Sequence, residues 1–591
     1  MKTRSYYGAI AIFSLAALAA CSRTNTGIST AIPHLQKKGS ATQLIVDGKP
    51  FLALAGELSN NSATSVEYMT PIWSKLVESK LNTVLAGVAW NQIEREEGKF
   101  DFSVLDGVIR DARSHNLHLV LLWFASWKNG LSSYPPNWLK RDFDRFPRAQ
   151  LIGGETPWPV LTISNTVPRA KIVGSLSLEL LSTLSDANRD ADARAFAALM
   201  RHVKEVDGQQ HTVIMIQVEN EVGMQGDSRD RSPAANQAFA GPVPKELMDY
   251  LQQHKDTLIP EFRQVWEAAG FKTAGTWEEV FGRNTATDEI FMAWNYARYI
   301  GRVVEAGKAE YPIPMFVNAA LPRSSSIADA IGKGHESART GGLFAIGGPM
   351  DDLMDVWRAG APKLDILSPD AYSDRDFVAF CAKYSRSGNP LFLPESAGGP
   401  EGAARVLYVF GRHDAIGFSP MGIERPATPD KELTSSYDLI AQLAPLIAEH
   451  QGKGTMSAVL LRGPNDPPQK IHLGNYTLEV GFYSQPKMFG VPPPPDPPPP
   501  AAAIFIETGP DEYFAAGSGV TVKVSPNTPG PPLAGFATVE EGTFVNGRWV
   551  PGRRLNGDDS DEGNFLMLDR SGCCWAPGTK SIQRFTLYRY R

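Results

Sequence analysis

Ile214-Met215-Ile216-Gln217-Val218-Glu219-Asn220-Glu221-Val222-Gly223 is an apolar strand that runs out into two carboxylates flanking an amide. Strand ends usually turn over with Gly, Pro or Ser, and burying two carboxylates beside an amide costs free energy unless pairing or function offsets it. In a (β/α)8 barrel, catalytic groups project from the C-terminal ends of the strands, so this stretch predicts a barrel strand carrying a site. Along an extended strand side chains alternate, which would give Glu219 and Glu221 one orientation and Asn220 the other. Distortion at the strand end would change that, and the residues alone do not rank the two glutamates.

Seven further short apolar runs surround it: Phe51–Leu58, Thr83–Trp90, His118–Trp127, Pro314–Leu321, Asp365–Tyr372, Leu391–Ala397 and Ala415–Met421. With Val213–Val222 they make the eight that a barrel needs, and they are near-continuously apolar, as strands buried on both faces must be. Helical periodicity lies between them, over Val66–Lys80, Phe102–Asn116, Asp190–Val206, Val243–Ala269 and Asp288–Tyr311. Two connections, 130–188 and 223–313, are oversized, and long insertions at strand C-termini usually shape a cleft. The fold class predicted is α/β: a TIM barrel over 42–430, followed by a β-rich, sandwich-like accessory domain over 431–591. In that second part a helix, Thr434–His450, leads into short alternating segments broken by Gly and Pro. Pro492–Pro500 within it reads as a stiff polyproline-II surface loop.

Lys2 and Arg4 precede an apolar run, Tyr6–Ala20, that is too short to span a bilayer and reads as a secretory signal over 1–21. It closes on Leu18-Ala19-Ala20-Cys21, which resembles the lipobox of bacterial lipoproteins, with Cys21 the lipidated residue. Residues 22–41, polar and Ser/Thr-rich, read as a tether. The expected location is the bacterial cell envelope, on the periplasmic side of the outer membrane or at the cell surface. Three cysteines remain, Cys381, Cys573 and Cys574, in no metal-like or disulfide-like spacing, and read as structural. The 591 residues carry 42% hydrophobic and 21% charged residues with a net charge of -6 and no basic stripe, which excludes wholesale disorder and disfavours nucleic acid as a partner.

Gln217–Gly223 resembles the QVENEYG signature of family 35 β-galactosidases, within a large clan of barrels that share an Asn-Glu pair on the fourth strand. The resemblance implies that Glu221 is the acid/base, that Asn220 contacts the sugar 2-hydroxyl, and that Glu219 supports or orients the substrate. It also places the nucleophile at the end of strand seven, where Leu391-Phe392-Leu393-Pro394-Glu395 ends in Glu395. Other segments are similar too: Gly56-Glu57-Leu58 after strand one, Trp90-Asn91 after strand two, Glu96–Phe102 beyond it, and Trp127 after strand three. Ser126 stands where the family has an acidic residue, and Gln92-Ile93-Glu94-Arg95 replaces its His-Glu-Pro. Val539–Asp558 resembles the C-terminal domain of a bacterial subgroup of these enzymes, which act on plant-derived oligosaccharides.

The function implied is a retaining exo-β-D-galactosidase that needs no metal or cofactor. Glu57, Trp90, Asn91, Trp127, Asp370 and Tyr372 are candidate substrate contacts beside Asn220 and Glu219. The partners are an oligosaccharide, a membrane reached only through the N-terminal lipid, and at most a second copy in a homodimer. Another retaining β-glycosidase, a β-glucosidase or an α-L-arabinopyranosidase, and a non-catalytic sugar-binding lipoprotein are the alternatives. Two retained acids speak against the last, since binding alone would not require both.

Overall fold

Each of the eight apolar runs is a strand of one closed parallel barrel in the computed structural model. The structure describes residues 31–150, 180–224, 227–320, 326–333, 346–373, 375–483, 498–557, 560, 563, 565–568 and 580–591. The barrel strands are Ala53–Glu57, Thr83–Ala89, His118–Lys128, Val213–Asn220, Met315–Ala319, Ile366–Ala371, Phe392–Ser396 and Gly417–Pro420, numbered one to eight below. Sequence neighbours pair in order, and strand eight closes on strand one through Gly417 opposite Ala53 and Phe418 opposite Leu54. A side chain at Gly417 would collide with Phe392 and Ala53, so the closure depends on its lacking one.

Ala53, Ala55, Leu85, Val120, Leu122, Met215, Phe316, Ile366, Phe392 and Ile416 fill the barrel interior as one cluster. Leu44 and Val46 join that cluster from a three-stranded N-terminal sheet, His34–Lys38, Ala41–Val46 and Lys49–Phe51. The strand His34–Lys38 therefore lies inside the stretch read as a tether. His34–Lys38 pairs antiparallel with Ala41–Val46, which its polar sequence did not reveal, because an edge strand needs only one neighbour and little apolar surface.

Helices follow the strands as the periodicity predicts, with two corrections. Val66–Lys80 is two pieces, Val66–Met69 and Trp73–Glu78, because Pro71 supplies no N–H to continue the ladder. Tyr68, in the first piece, is 58% exposed. Val243–Ala269 is likewise divided into Lys245–Gln253 and Pro260–Ala268, with Pro260 opening the second helix. Cys381 is buried in Phe377–Tyr384, and burial pushes its thiol up, as expected of an inert structural residue. Cys21, Cys573, Cys574 and residues 492–497 of the proline run lie outside the described residues. Among the described residues, no helix is long and apolar enough to cross a membrane.

After the helix Lys431–His450 the chain builds a six-stranded and a four-stranded sheet. The strand Ala501–Gly509 shows how the accessory domain is attached. Ala501, Ala503 and Phe505 face the sandwich core, whereas Ala502, Ile504 and Ile506 join the barrel's outer core. Period-two alternation thus buries both faces, one against each domain. The helix Gly399–His413, which follows strand seven, lies at this contact. A Cβ on Gly411 would come within 2.7 Å of Ala458 and 2.8 Å of Ile504. Gly411→Val is expected to lower the thermal unfolding temperature through overpacking of about 1–3 kcal/mol. An unchanged melting curve would show that the two domains do not meet closely there.

Candidate active site

Two non-glycine residues at the end of strand four have left-handed backbone: Glu219 at φ 63° and Glu221 at φ 47°. Such conformations are uncommon outside glycine and persist where surrounding structure holds them. They break the strand's alternation. Glu219 turns away from the barrel mouth, while Asn220 and Glu221 both engage groups at it. The expectation that Glu219 and Glu221 share a direction fails for this reason.

Glu219 is fully buried and serves strand three. Its carboxyl accepts from the backbone N–H of Ser126 at 3.1 Å and of Trp127 at 2.7 Å. Burial, and then the neighbouring Asp192 carboxyl, hold Glu219 well above the usual carboxylate range. Asp192 in turn accepts from the Trp123 indole at 2.9 Å and the Ser126 hydroxyl at 2.6 Å. Ser126, which occupies the place of an acidic residue in the family pattern, is thus part of this buried network. Both oxygens of Glu219 are thus engaged by the scaffold of strand three.

At the mouth, Asn220 Nδ2 donates to Glu395 Oε1 at 3.1 Å, and Tyr372 OH donates to Glu395 Oε2 at 2.8 Å. Asn318, on strand five, ties the strands together. Its Oδ1 accepts from the Glu221 backbone N–H at 3.0 Å, and its Nδ2 donates to Asp370 at 2.7 Å and to Glu395 at 3.4 Å. One carboxyl oxygen from each of Glu221, Asp370 and Glu395 lies within 4.8 Å of the others. Burial and the nearby Glu395 raise Glu221 to about 7, against the opposing pull of Lys128. Asp370 is held well above the carboxylate range by burial and then by Glu395, Glu221 and Glu57. Two acids with their titrations raised beside a third that accepts three hydrogen bonds form an acid/base arrangement.

Glu57, at the end of strand one, is 1% exposed, and among the described residues neither carboxyl oxygen has a hydrogen-bond partner. Burial, followed by Glu395, raises its titration well above normal. Three other candidate contacts lie elsewhere. Trp90 is buried against Trp123 and Trp138, its indole N–H donating to Glu94 at 2.6 Å. Trp127 is buried edge-on against Tyr296 and Tyr299. Asn91 is exposed, with its backbone N–H on the Tyr134 carbonyl. Both tryptophans therefore fill core, the commoner use of an aromatic at a strand end. Asn318 and Lys128 were missed. Each was visible as a polar residue at or near the C-terminal end of an apolar strand, close to the signal that singled out Glu221.

Residues 63–150 match the family model described as β-galactosidase, glycoside hydrolase family 42. Over that stretch the chain is β-galactosidase-like. The match spans strands two and three and stops short of the strands that carry Glu221 and Glu395. Residues 433–567, most of the accessory domain, match a domain of unknown function, DUF5597. Comparison with curated proteins gives no match. Similar solved structures include the β-galactosidase of the psychrophilic Marinomonas ef1, at 14% identity and a TM-score of 0.43 over 68% of this chain and 61% of that one. The β-galactosidase of Bacillus circulans sp. alkalophilus is 15% identical, at a TM-score of 0.42 over 67% of this chain and 57% of that one. This chain thus spans about three-fifths of the length of those enzymes. The catalytic domain of a β-amylase from Paenibacillus polymyxa is similar at 12% identity and a TM-score of 0.42, over 66% of this chain and 98% of that one.

Glu219→Ala would strand two buried backbone donors on strand three. It is expected to cost about 2–4 kcal/mol in chemical denaturation. Stability within about 0.5 kcal/mol of wild type would contradict the scaffold role.

Proposed function

We propose that the protein is a retaining exo-β-D-galactosidase, with Glu395 as nucleophile and Glu221 as acid/base. The observation that carries this reading is the pairing of Glu221 and Glu395 across the mouth. Glu221, raised to about 7, can hold a proton near neutrality, while the carboxyl of Glu395 is oriented by Asn220, Asn318 and Tyr372. Retaining enzymes keep their two carboxyls about 5–5.5 Å apart, and inverting ones wider, to admit a water. The approach of one Glu221 oxygen to within 4.8 Å of one Glu395 oxygen is a close spacing that supports the former.

In the first step Glu395 attacks the anomeric carbon while Glu221 gives its proton to the departing oxygen. In the second, Glu221 takes a proton from water as that water displaces Glu395, which restores both groups. Asp370 and Glu57, both held well above the usual carboxylate range by burial and neighbouring acids, stand beside the pair as partners for sugar hydroxyls. A mouth of this kind suits an uncharged sugar. The β-galactoside preference is supported by the match over 63–150 and by the Gln217–Gly223 signature. Exo action on plant-derived oligosaccharides, and family 35 in particular, rest on that signature and on the Val539–Asp558 resemblance.

Nitrophenyl glycosides provide the test. Wild type should cleave the β-galactoside with release of the β-anomer, seen by proton NMR. Glu221→Gln and Glu395→Gln should each lose about a thousandfold or more in kcat. Activity surviving Glu395→Gln would overturn the nucleophile, and preferential cleavage of a β-glucoside or α-L-arabinopyranoside would change the sugar. The acid must be protonated, so activity should fall as pH rises through about 7. That alkaline limb should be absent from the profile of Glu221→Gln. We also propose a lipid anchor on Cys21 at the cell envelope, for which Cys21→Ala should move the protein from the membrane fraction to the soluble one.

A further inference from the structure

Lys128 closes strand three and is 7% exposed, yet the scheme above gives it no part. Its position is built by an irregularity. Strands three and four pair in even register from Val120 opposite Met215 to Trp123 opposite Val218, and the next pair is Lys128 opposite Asn220. Five residues of one strand are thus matched by two of the other, a bulge of the kind that re-aims side chains beside active sites. The Glu219 carboxyl clamps it by accepting from the Ser126 and Trp127 N–H groups. Its outcome is that Lys128 Nζ donates to Asn220 Oδ1 at 2.8 Å.

That contact decides which way an amide points. The oxygen and nitrogen of an asparagine side chain are nearly isosteric, and either could face Glu395. An ammonium only donates, so Lys128 requires Oδ1 on its own side and thereby turns Nδ2 toward Glu395. We propose that Lys128 is a positioning residue of the hydrolase, fixing the Asn220 amide so that its N–H groups face the nucleophile and the sugar bound there. The inference rests on the hydrolase reading, whose own test is separate.

The surroundings fit a retained ammonium. Glu395 of strand seven, Glu221 after strand four, Glu57 of strand one and Asp370 of strand six all act on Lys128, and together they outweigh its burial to raise its titration. The Phe124 ring lies 5.0 Å below Nζ, and Lys128 also acts on Tyr134. The same positive charge pulls Glu221 downward, so it bears on the acid as well as on the amide.

Lys128→Met, Lys128→Arg, Asn220→Ala and the Lys128→Met/Asn220→Ala double variant test this on the glycoside that wild type cleaves. Lys128→Met should lower kcat about ten- to a hundredfold with KM nearly unchanged, since contacts to the nucleophile and the adjacent hydroxyl strengthen in the transition state. Its alkaline limb should move up by about one pH unit, because removing a cation near an acid raises the pH at which that acid ionises. Lys128→Arg should leave the limb in place. On the Asn220→Ala background, Lys128→Met should cost little further rate, as expected when both act through one contact. Additive losses, or an unmoved limb with kcat unchanged, would overturn the proposal. If Lys128→Met does not fold, Asn220→Ala alone decides, and a loss under about threefold in kcat, well short of the ten- to hundredfold expected, would overturn it. A wild type that cleaves no glycoside would remove the hydrolase reading itself, a result distinct from any of these.

Discussion

Several acids lie at one end of the barrel, shielded from water, and their mutual repulsion governs what surrounds them. Glu57, Glu221, Asp370 and Glu395 come from strands one, four, six and seven, and Glu395 acts on each of the other three. Like charges at this range in a dry site cannot all ionise. Burial and proximity push three of them upward, and Lys128 supplies the compensating charge. Burial first, and then proximity, thus shifts the titrations of neighbouring acids, which is what acid/base chemistry requires.

Keeping such a cluster in place needs rigid supports, and these lie a layer back. Asn318 joins strand four to strands six and seven through one amide. Glu219 and Asp192 hold the bulge on strand three. Arg405, on the helix after strand seven, donates to the Ala371 and Tyr372 carbonyls and so fixes the backbone that presents Tyr372 to Glu395. That helix also carries Gly411 against the accessory sheet, so the accessory domain braces the element that follows Glu395. The left-handed residues at 219 and 221 are held within the same framework, which is where backbone strain is usually found.

Legibility in the sequence followed burial on both faces. The eight strands were readable because a strand covered on each side leaves a continuous apolar run, and Glu221 and Glu395 because each interrupts one at its C-terminal end. Where only one face or edge is buried the signal failed, as at His34–Lys38. Proline breaks at Pro71 and Pro260 were visible in the residues but overridden by helical periodicity that continues across them. Trp90 and Trp127 were misplaced because a strand-end aromatic looks the same whether it faces a sugar or a helix.

The sequence by itself determined the barrel, the order of its strands and the two glutamates that end the fourth and seventh, because apolar period and position along the chain are local properties. The tertiary structure decided which glutamate of the Glu219-Asn220-Glu221 triplet serves the scaffold. It also recruited Asn318 and Lys128 and raised the titrations of Glu57, Glu221 and Asp370. Those outcomes depend on φ at two residues, on a bulge in the neighbouring strand and on the distances between charges carried by strands far apart in sequence. Local pattern contains none of that information, since it arises only when the barrel closes.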